Sequence, residues 1–258
     1  MADQISLLQM AVAYLLLLVV FALALSNRLR ISKELAVATL RMTFQLIAVG
    51  ILLRYLFRFN FWYTSLILLL SMILFAVHVV LGRVKLRLSR LSLILFISIT
   101  AGSLSVLAVL LFLIVGHEPW YDARYLIPIG GMIVGNTMTT CALVTERFYN
   151  EVYGKRPVIE TSLALGATSK EASMSAFRVA FGAALLPTIA SMTGMGIVHL
   201  PGMMTGQILS GTEPILAVKY QIAIMVAILS SAALSSLITL CLLRGRLFNK
   251  YHQIAEPL

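Results

Sequence analysis

Seven long apolar runs constrain the fold of this chain more than any other feature of the sequence. They cover about residues 5–25, 36–56, 61–81, 91–115, 126–145, 178–198 and 215–243. A helix needs roughly 20 apolar residues to cross the hydrocarbon core of a bilayer, and each run meets that requirement. Because backbone groups inside lipid must be paired within the segment, the runs are predicted to be helices. The sequence therefore predicts an all-α integral membrane protein with about seven transmembrane helices, in a single domain over residues 1–258.

Composition agrees with this class and argues against a soluble domain. Hydrophobic residues make up 60% of the chain and charged residues only 12%, whereas soluble domains are about half apolar and about a quarter charged. The first apolar run has no basic region before it and no small-residue cleavage site, so it is predicted to be a permanent span. Cys141 and Cys241 lie inside apolar runs, without the spacing of a zinc site or a disulfide framework.

The positions of lysine and arginine predict how the chain is oriented. The net charge is +10, but the basic residues lie in short loops and not on a solvated face suited to nucleic acid. Most of them share one side of the predicted membrane: Arg28, Arg30, Lys33, Arg83, Lys85, Arg87, Arg90, Arg147, Lys155, Arg156, Lys170, Arg178, Arg244, Arg246 and Lys250. The positive-inside rule assigns that side to the cytoplasm. The N-terminus is therefore expected outside and the C-terminus in the cytoplasm, with a lipid bilayer and no nucleic acid as partner.

The only sizeable cytoplasmic segment in this arrangement is 146–177. Pro157 fits the first turn of a short helix over 158–165, since the missing N–H of proline is not needed there. Gly166 fits the left-handed position just past the end of that helix. The sequence thus predicts a short helix that ends in a tight turn.

A second helix is predicted directly after this turn. Thr168 and Glu171 have the spacing of a capping box, which marks the start of a helix. No breaker intervenes before Pro187, so this helix is expected to run through Arg178 into the sixth span. A push on the short helix would then reach the bundle as a rigid-body motion.

This segment resembles the EAA loop of ABC-transporter permeases. The resemblance lies in a glutamate, a glycine six residues later and small residues after it, although Thr161 and Ser162 stand where two alanines are usual. In that superfamily the short helix docks on a separate ATPase subunit and couples ATP binding to reorientation. The residues to which the resemblance assigns this coupling are Glu160, Leu163, Gly166, Ala167, Thr168 and Glu171.

Three further blocks resemble the FetB-type permease family: PIGGMIVGNTM (Pro128–Met138), SLALGAT (Ser162–Thr168) and LPGMMTGQILSGTEPILAVKYQI (Leu200–Ile222). The resemblance implies a multi-pass permease of the cell (inner) membrane that works with a separate ABC ATP-binding subunit. One chain presents one such coupling segment and ABC transporters have two ATPase sites, so a permease homodimer is the expected assembly. Bacterial members are associated with iron export and metal-stress resistance. A plant relative acts in aluminium tolerance, where nucleotide sugar has been proposed as cargo. Iron export is therefore the expected function, and a nucleotide sugar or another organic cargo is the alternative.

Two regions are candidates for the translocation path. Asn136 in the fifth span is costly against lipid, so it is expected to face either protein or a water-filled path. The outer segment 199–214 is interrupted by proline and glycine, which suits a re-entrant half-helix, a short gate or a plain connector. The path candidates in these regions are Met132, Asn136, Met138, Pro201, Gly202, Met203, Met204 and Glu213.

The candidate metal ligands are few and belong to the same outer segment. His199 and Glu213 suit Fe(II), whereas the thioethers of Met203 and Met204 favour soft ions such as Cu(I). Methionine is also a common gap-filler in apolar cores. No HxxxH, CxxC or carboxylate cluster occurs in the sequence. A metal would therefore meet a weak site, a site between subunits, or would pass as a complex.

The sequence contains no motif that would make this chain an enzyme. A GxxxxGK[ST] phosphate loop is absent from it, so ATP and Mg are expected on the partner subunit, with no cofactor on this chain. A phosphate-bearing cargo would need buried basic residues, and only Arg41 and Lys219 lie near membrane depth. A stand-alone membrane channel is the alternative of another class, but a channel would not need a capped cytoplasmic helix–turn–helix.

Overall fold

The computed structural model describes residues 6–27, 32–59, 61–84, 88, 90–116, 118–249 and 253–254. The helices in this part are α1 (Leu7–Ser26), α2 (Ser32–Phe59), α3 (Trp62–Val84), α4 (Leu91–Val109), α5 (Ala123–Gly154), α6 (Arg156–Ala164), α7 (Ser169–Ala172), α8 (Met174–Gly194), α9 (Gly202–Leu209) and α10 (Pro214–Leu247). A π-helical turn, Leu110–Val115, continues α4. Seven of the described helices are long and apolar enough to cross a membrane, which confirms the all-α class and the seven predicted spans.

The orientation of the termini stays a prediction. Some of the basic residues on which it rests lie outside the described residues: Arg28, Arg30, Lys85, Arg87 and Lys250.

The fifth span is longer than its apolar run. It was predicted to end near residue 145, but α5 continues as a helix to Gly154. Two ion pairs one turn apart support this polar extension: Glu151 lies 3.0 Å from Arg147 and 2.8 Å from Lys155. Pairs at this spacing stabilise a helix without adding hydropathy, so the apolar pattern could not predict the extension.

The sixth span ends earlier than predicted. It was expected to reach residue 198, but α8 ends at Gly194, and a tight turn follows with Gly196 at φ +84°. This conformation favours glycine and stops the helix although the residues around it are apolar. Pro187 lies inside α8 and does not end it.

The predicted continuous helix into the sixth span is wrong at one residue. The helix pauses at Ser173, between α7 and α8. The Ser173 hydroxyl donates a hydrogen bond of 2.6 Å to the Ser169 carbonyl oxygen. A serine that binds the carbonyl four residues earlier competes with the backbone and often bends a helix. The regular helix is therefore interrupted at Ser173, although backbone hydrogen bonds from Ser173 to Ser169 and from Phe177 to Ser173 span the interruption.

The chain divides into two compact units by the contacts within them. The first comprises Met1–Phe59 with Leu209–Gly211, and within it the Tyr14 hydroxyl lies 2.7 Å from the Thr43 hydroxyl, which links α1 to α2. The second comprises Asn60–Ile208 with Thr212–Leu258. In it, α10 packs against α4 and α5, and α5 also packs against α3 and α8.

The interior of the second unit is rich in small hydroxyl side chains. Those that are fully buried are Ser65, Ser98, Ser103, Thr137, Thr145, Ser173, Ser231, Ser235, Ser236 and Thr239. One pair joins two helices, since the Thr137 and Ser231 hydroxyl oxygens lie 2.8 Å apart between α5 and α10. Large apolar side chains such as Leu70, Leu93 and Ile222 face outward instead. Small residues inside and large ones outside suit helices that pack closely within lipid.

Candidate functional site

The short helix of the predicted coupling segment is α6, which begins two residues before the predicted start and includes Pro157 in its first turn. Its end is a Schellman motif, in which Gly166 donates to the Leu163 carbonyl at 3.0 Å and Ala167 to the Ser162 carbonyl at 3.0 Å. Gly166 has φ +93°, the left-handed value that this motif needs. The turn is therefore fixed by glycine and by two backbone hydrogen bonds.

The capping box after the turn is present. The backbone N–H of Glu171 donates to the Thr168 hydroxyl at 3.3 Å, and the Thr168 N–H donates to the Glu171 carboxylate at 2.9 Å. The bond from the Thr168 N–H, followed by a hydrogen bond of 2.7 Å that the Thr168 hydroxyl donates to the same carboxylate, holds the pKa of Glu171 below its ordinary value of 4.5. The capping box therefore favours the ionised form of the Glu171 carboxylate.

The surface of α6 combines one anchored side chain with exposed apolar ones. Ile159 is only 4% exposed and belongs to the core, whereas Val158 is 67% exposed and the adjoining Leu165 is 84% exposed. Leu163 is half-buried against the core. Glu160 is exposed and accepts a hydrogen bond of 2.6 Å from Arg156. The segment thus presents apolar and charged groups from a fixed position.

Two cavities adjoin in the second unit, among α5, α8, α9 and α10. The first, of about 320 Å³, is lined by Met132, Asn136, Thr139, Thr140, Leu143, Ala184, Pro187, Thr188, Ser191, Pro201, Gly202, Met203, Gln221, Met225 and Ile228. The second, of about 340 Å³, is lined by Met192, Met195, Gly196, Pro201, Met204, Val218, Gln221, Ile222, Met225 and Val226. They share three wall residues: Pro201, Gln221 and Met225.

Most of the predicted path candidates lie on these walls. The first cavity collects Met132, Asn136, Pro201, Gly202 and Met203, and the second collects Pro201 and Met204. The Asn136 side-chain amide donates a hydrogen bond of 2.8 Å to the carbonyl oxygen of Met132, one turn earlier. Met138 lines neither cavity and packs against the core.

The predicted metal ligands are not brought together. Met203 and Met204 line the cavities, but His199 and Glu213 are exposed and line neither of them. Across the described residues, no group of three or more His, Cys, Asp or Glu side chains could hold a metal ion.

The sequence patterns did not predict Gln221 and Met225 as residues of the site. Gln221 is 6% exposed, lies on both cavities, and its Oε1 atom has no hydrogen-bond partner in the described part of the chain. Met225 follows one turn later on the same face of α10, as residues four apart do. A glutamine inside the last apolar run is the signal that could have located this wall.

The two cavities have a neutral lining. None of the residues that line either cavity is Asp, Glu, Lys, Arg or His. The available donor atoms are thioether sulfurs, hydroxyl oxygens and the amides of Asn136 and Gln221. Such a lining offers neither counter-charge for an anion nor carboxylate or imidazole for a hard cation.

Comparison with known proteins identifies relatives over nearly the whole chain. Residues 7–248 match the model of the "Uncharacterised protein family (UPF0014)". The "Probable iron export permease protein FetB" of Escherichia coli (strain K12) is 35% identical, over 95% of this chain and 93% of its own. The "UPF0014 membrane protein YjkA" of Bacillus subtilis (strain 168) is 32% identical, over 96% and 98%.

A plant protein is also similar. "Protein ALUMINUM SENSITIVE 3" of Arabidopsis thaliana is 29% identical, over 95% of this chain and 88% of its own. No solved structure matches the chain. With seven apolar helices and a family match that covers almost its full length, this chain is a multi-pass membrane protein that belongs to the UPF0014 family.

Proposed function

We propose that this chain is the permease subunit of an ABC transporter that exports iron, with ATP hydrolysed by a separate ATPase subunit. The observation that carries the proposal is the capped segment from α6 to α7, which offers a firmly held docking surface. A similar protein of Escherichia coli is named a probable iron export permease, which supports the choice of function. A channel would have no use for such a segment.

The proposed docking surface consists of Val158, Glu160 and Leu165. Val158 and Leu165 are exposed at helical spacing on one side of α6, and exposed apolar side chains outside the apolar spans are typical of a protein interface. Glu160, two residues after Val158, lies on another exposed side of the same helix. The buried Ile159 and the Schellman turn hold the surface against the bundle. A nucleotide-dependent movement of the ATPase would therefore displace α6 together with the end of α5.

Helix α5 gives this displacement a route to the cavities. It runs without interruption from Met132 and Asn136, on the wall of the first cavity, to Gly154, next to the start of α6. Lys155 ends α5 and also begins α6. Reorientation of α5 would thus change the wall that the cargo contacts.

The neutral cavities constrain the form of the cargo. A nucleotide sugar would need Arg or Lys near its phosphates, and neither cavity has one. Iron would find no carboxylate or imidazole there, so we expect it to cross as a complex or at a site completed by a second copy of the chain. Each chain has one coupling segment, so a homodimer with two ATPase subunits is the proposed assembly.

The proposal is tested by ATP-dependent uptake of labelled iron into inverted membrane vesicles that contain this chain and its partner ATPase. Glu160→Lys, which reverses the charge on the docking surface, is expected to abolish uptake and to release the ATPase during purification. Glu34→Lys makes the same charge change outside the coupling segment, and we expect it to keep uptake within about twofold of wild type.

Two outcomes would contradict the proposal in different ways. Uptake that is unaffected by Glu160→Lys would remove the coupling role of α6. If the ATPase is stimulated by the permease but no iron moves, the transporter class stands and iron is excluded as cargo.

A further inference from the structure

We propose that the two adjoining cavities form a binding site for a soft monovalent metal cation, of the Cu(I) and Ag(I) class, held by methionine thioethers. The sulfur donors are Met132, Met192, Met195, Met203, Met204 and Met225. This site goes beyond iron export and does not depend on it, because it is a property of this chain alone. Binding can therefore be measured without the ATPase.

The distribution of methionine carries the inference. Six of the twelve methionines in the chain line these two cavities. They come from α5, from α8 and the turn after it, from α9 and from α10, so the side chains converge from elements that are distant in sequence. Adjacent residues Met203 and Met204 line different cavities. Met132, Met192, Met195 and Met203 pack against the core and Met225 belongs to it, so these side chains border the core and the cavities at once.

The wall between the cavities adds a second observation. Gln221 and Met225 lie one turn apart on α10 and line both cavities. The Gln221 side chain is buried, yet its Oε1 atom has no hydrogen-bond partner among the described residues. A buried carbonyl oxygen left without a partner is costly, and a cation is a partner that would remove the cost. The amide thus supplies an oxygen beside the sulfur donors.

The chemistry of the lining selects the charge and softness of the ion. Thioether sulfur is a soft ligand that prefers Cu(I), while Fe(II) prefers imidazole and carboxylate. Neither cavity holds a carboxylate to compensate charge. Because the cost of burying an ion rises with the square of its charge, a divalent ion would cost about four times as much as a monovalent one. The lining therefore favours a soft ion of charge +1.

The test is silver binding to the full-length, tag-free protein in lipid nanodiscs. Ag(I) is added as the nitrate in chloride-free buffer, and bound metal is measured by equilibrium dialysis and elemental analysis. The exposed thiol is removed in every sample by Cys241→Ala, while the fully buried Cys141 is left in all of them. The variant M192L/M204L/M225L replaces three thioethers by side chains of similar volume. We expect it to bind Ag(I) at least tenfold more weakly.

The matched control is M42L/M72L/M174L, which removes three thioethers that line neither cavity. It is expected to bind Ag(I) within about twofold of the parent. The single variant Met225→Leu, on the shared wall, is expected to weaken binding at least threefold and guards against misfolding of the triple variant. Equal affinity in parent and triple variant, equal loss in the control, or binding of Fe(II) as tight as that of Ag(I) would each overturn the proposal. None of these results depends on iron transport, so this site and the proposed function fail separately.

Discussion

Gly102 on α4 faces Ser235 on α10 with no room for a side chain. A Cβ atom at Gly102 would lie 1.9 Å from the Ser235 hydroxyl oxygen and 2.9 Å from its backbone nitrogen. Gly102→Ala is therefore expected to destabilise the protein by about 1–3 kcal/mol, the usual cost of overpacking. The measurement is the thermal unfolding midpoint in detergent.

Two further variants separate this contact from a general effect of replacing glycine. Gly182→Ala, at a helical glycine with open space around it, should be neutral or stabilising by up to about 1 kcal/mol. Gly102→Ala with Ser235→Ala should recover only part of the loss, because the backbone nitrogen remains at 2.9 Å. A normal unfolding midpoint for Gly102→Ala alone would show that α4 and α10 can move apart at no cost.

Individual site residues could be predicted from the sequence only where their residue type was unusual for its surroundings. Asn136 stood out as a polar residue inside an apolar span, and Met203 as one of two adjacent methionines in an irregular segment. Both residues line a cavity. His199 and Glu213 were proposed because their side chains ligate metals, but the turn after α8 and the start of α10 leave them exposed. The residue type shows which side chains could bind a metal. Whether those side chains lie close together depends on how the helices pack, which the pattern of a single sequence does not show.

The turn between α6 and α7 gives a prediction at the level of the element. Gly166 has φ +93°, and a β-branched side chain there is strained even though no atom lies within 4 Å of its Cβ position. We expect Gly166→Val to keep the ATPase bound but to uncouple hydrolysis from iron transport. The two rates are measured together in vesicles.

The control for this experiment is Gly154→Val at the end of α5. Gly154 also has open space around it but does not have a left-handed backbone. The Gly154→Val variant is expected to lose less than a quarter of the transport rate. Full coupling in Gly166→Val would mean that the turn does not have to keep its geometry.

The capping box of α7 should depend on pH. The folded state lowers the pKa of Glu171, so its contribution to stability is fully present above the ordinary value of 4.5. It is lost as the pH falls through the lowered pKa. We expect amide-exchange protection over residues 168–173, corrected for intrinsic rates, to fall on acidification in that range. Glu171→Gln keeps the box geometry and should remove the pH dependence; an unchanged dependence in this variant would exclude Glu171 as its source.

Most of the helices could be predicted from the sequence. Where a predicted helix end differs from the structure, the cause is local. The seven spans followed from hydropathy, and the turn at Gly166 with the cap at Thr168 followed from backbone chemistry. The break at Ser173 did not, since serine is neutral in a helix until its hydroxyl binds the carbonyl of Ser169. The extension of α5 was also missed, because ion pairs such as Arg147–Glu151 contribute no hydropathy.

At the level of the whole molecule, the proposed assembly predicts a stoichiometry. One coupling segment per chain and two ATPase sites per ABC transporter require two copies of each subunit. Native mass spectrometry of the co-expressed proteins is expected to give a particle with two permease and two ATPase chains. A particle of one permease and one ATPase chain, active in transport, would contradict this.

The unequal connections of α5 and α8 have a mechanical consequence. From Met132 to Gly154, α5 is an uninterrupted helix of roughly 30 Å. A tilt of about 5° around one end of this stretch therefore displaces its other end by about 3 Å. The path from α7 into α8 is interrupted at Ser173, and bending there would absorb part of the same motion. Both α5 and α8 contribute residues to the lining of the first cavity. A stroke passed stiffly to α5 and less stiffly to α8 would therefore change the shape of this cavity instead of moving it as a whole.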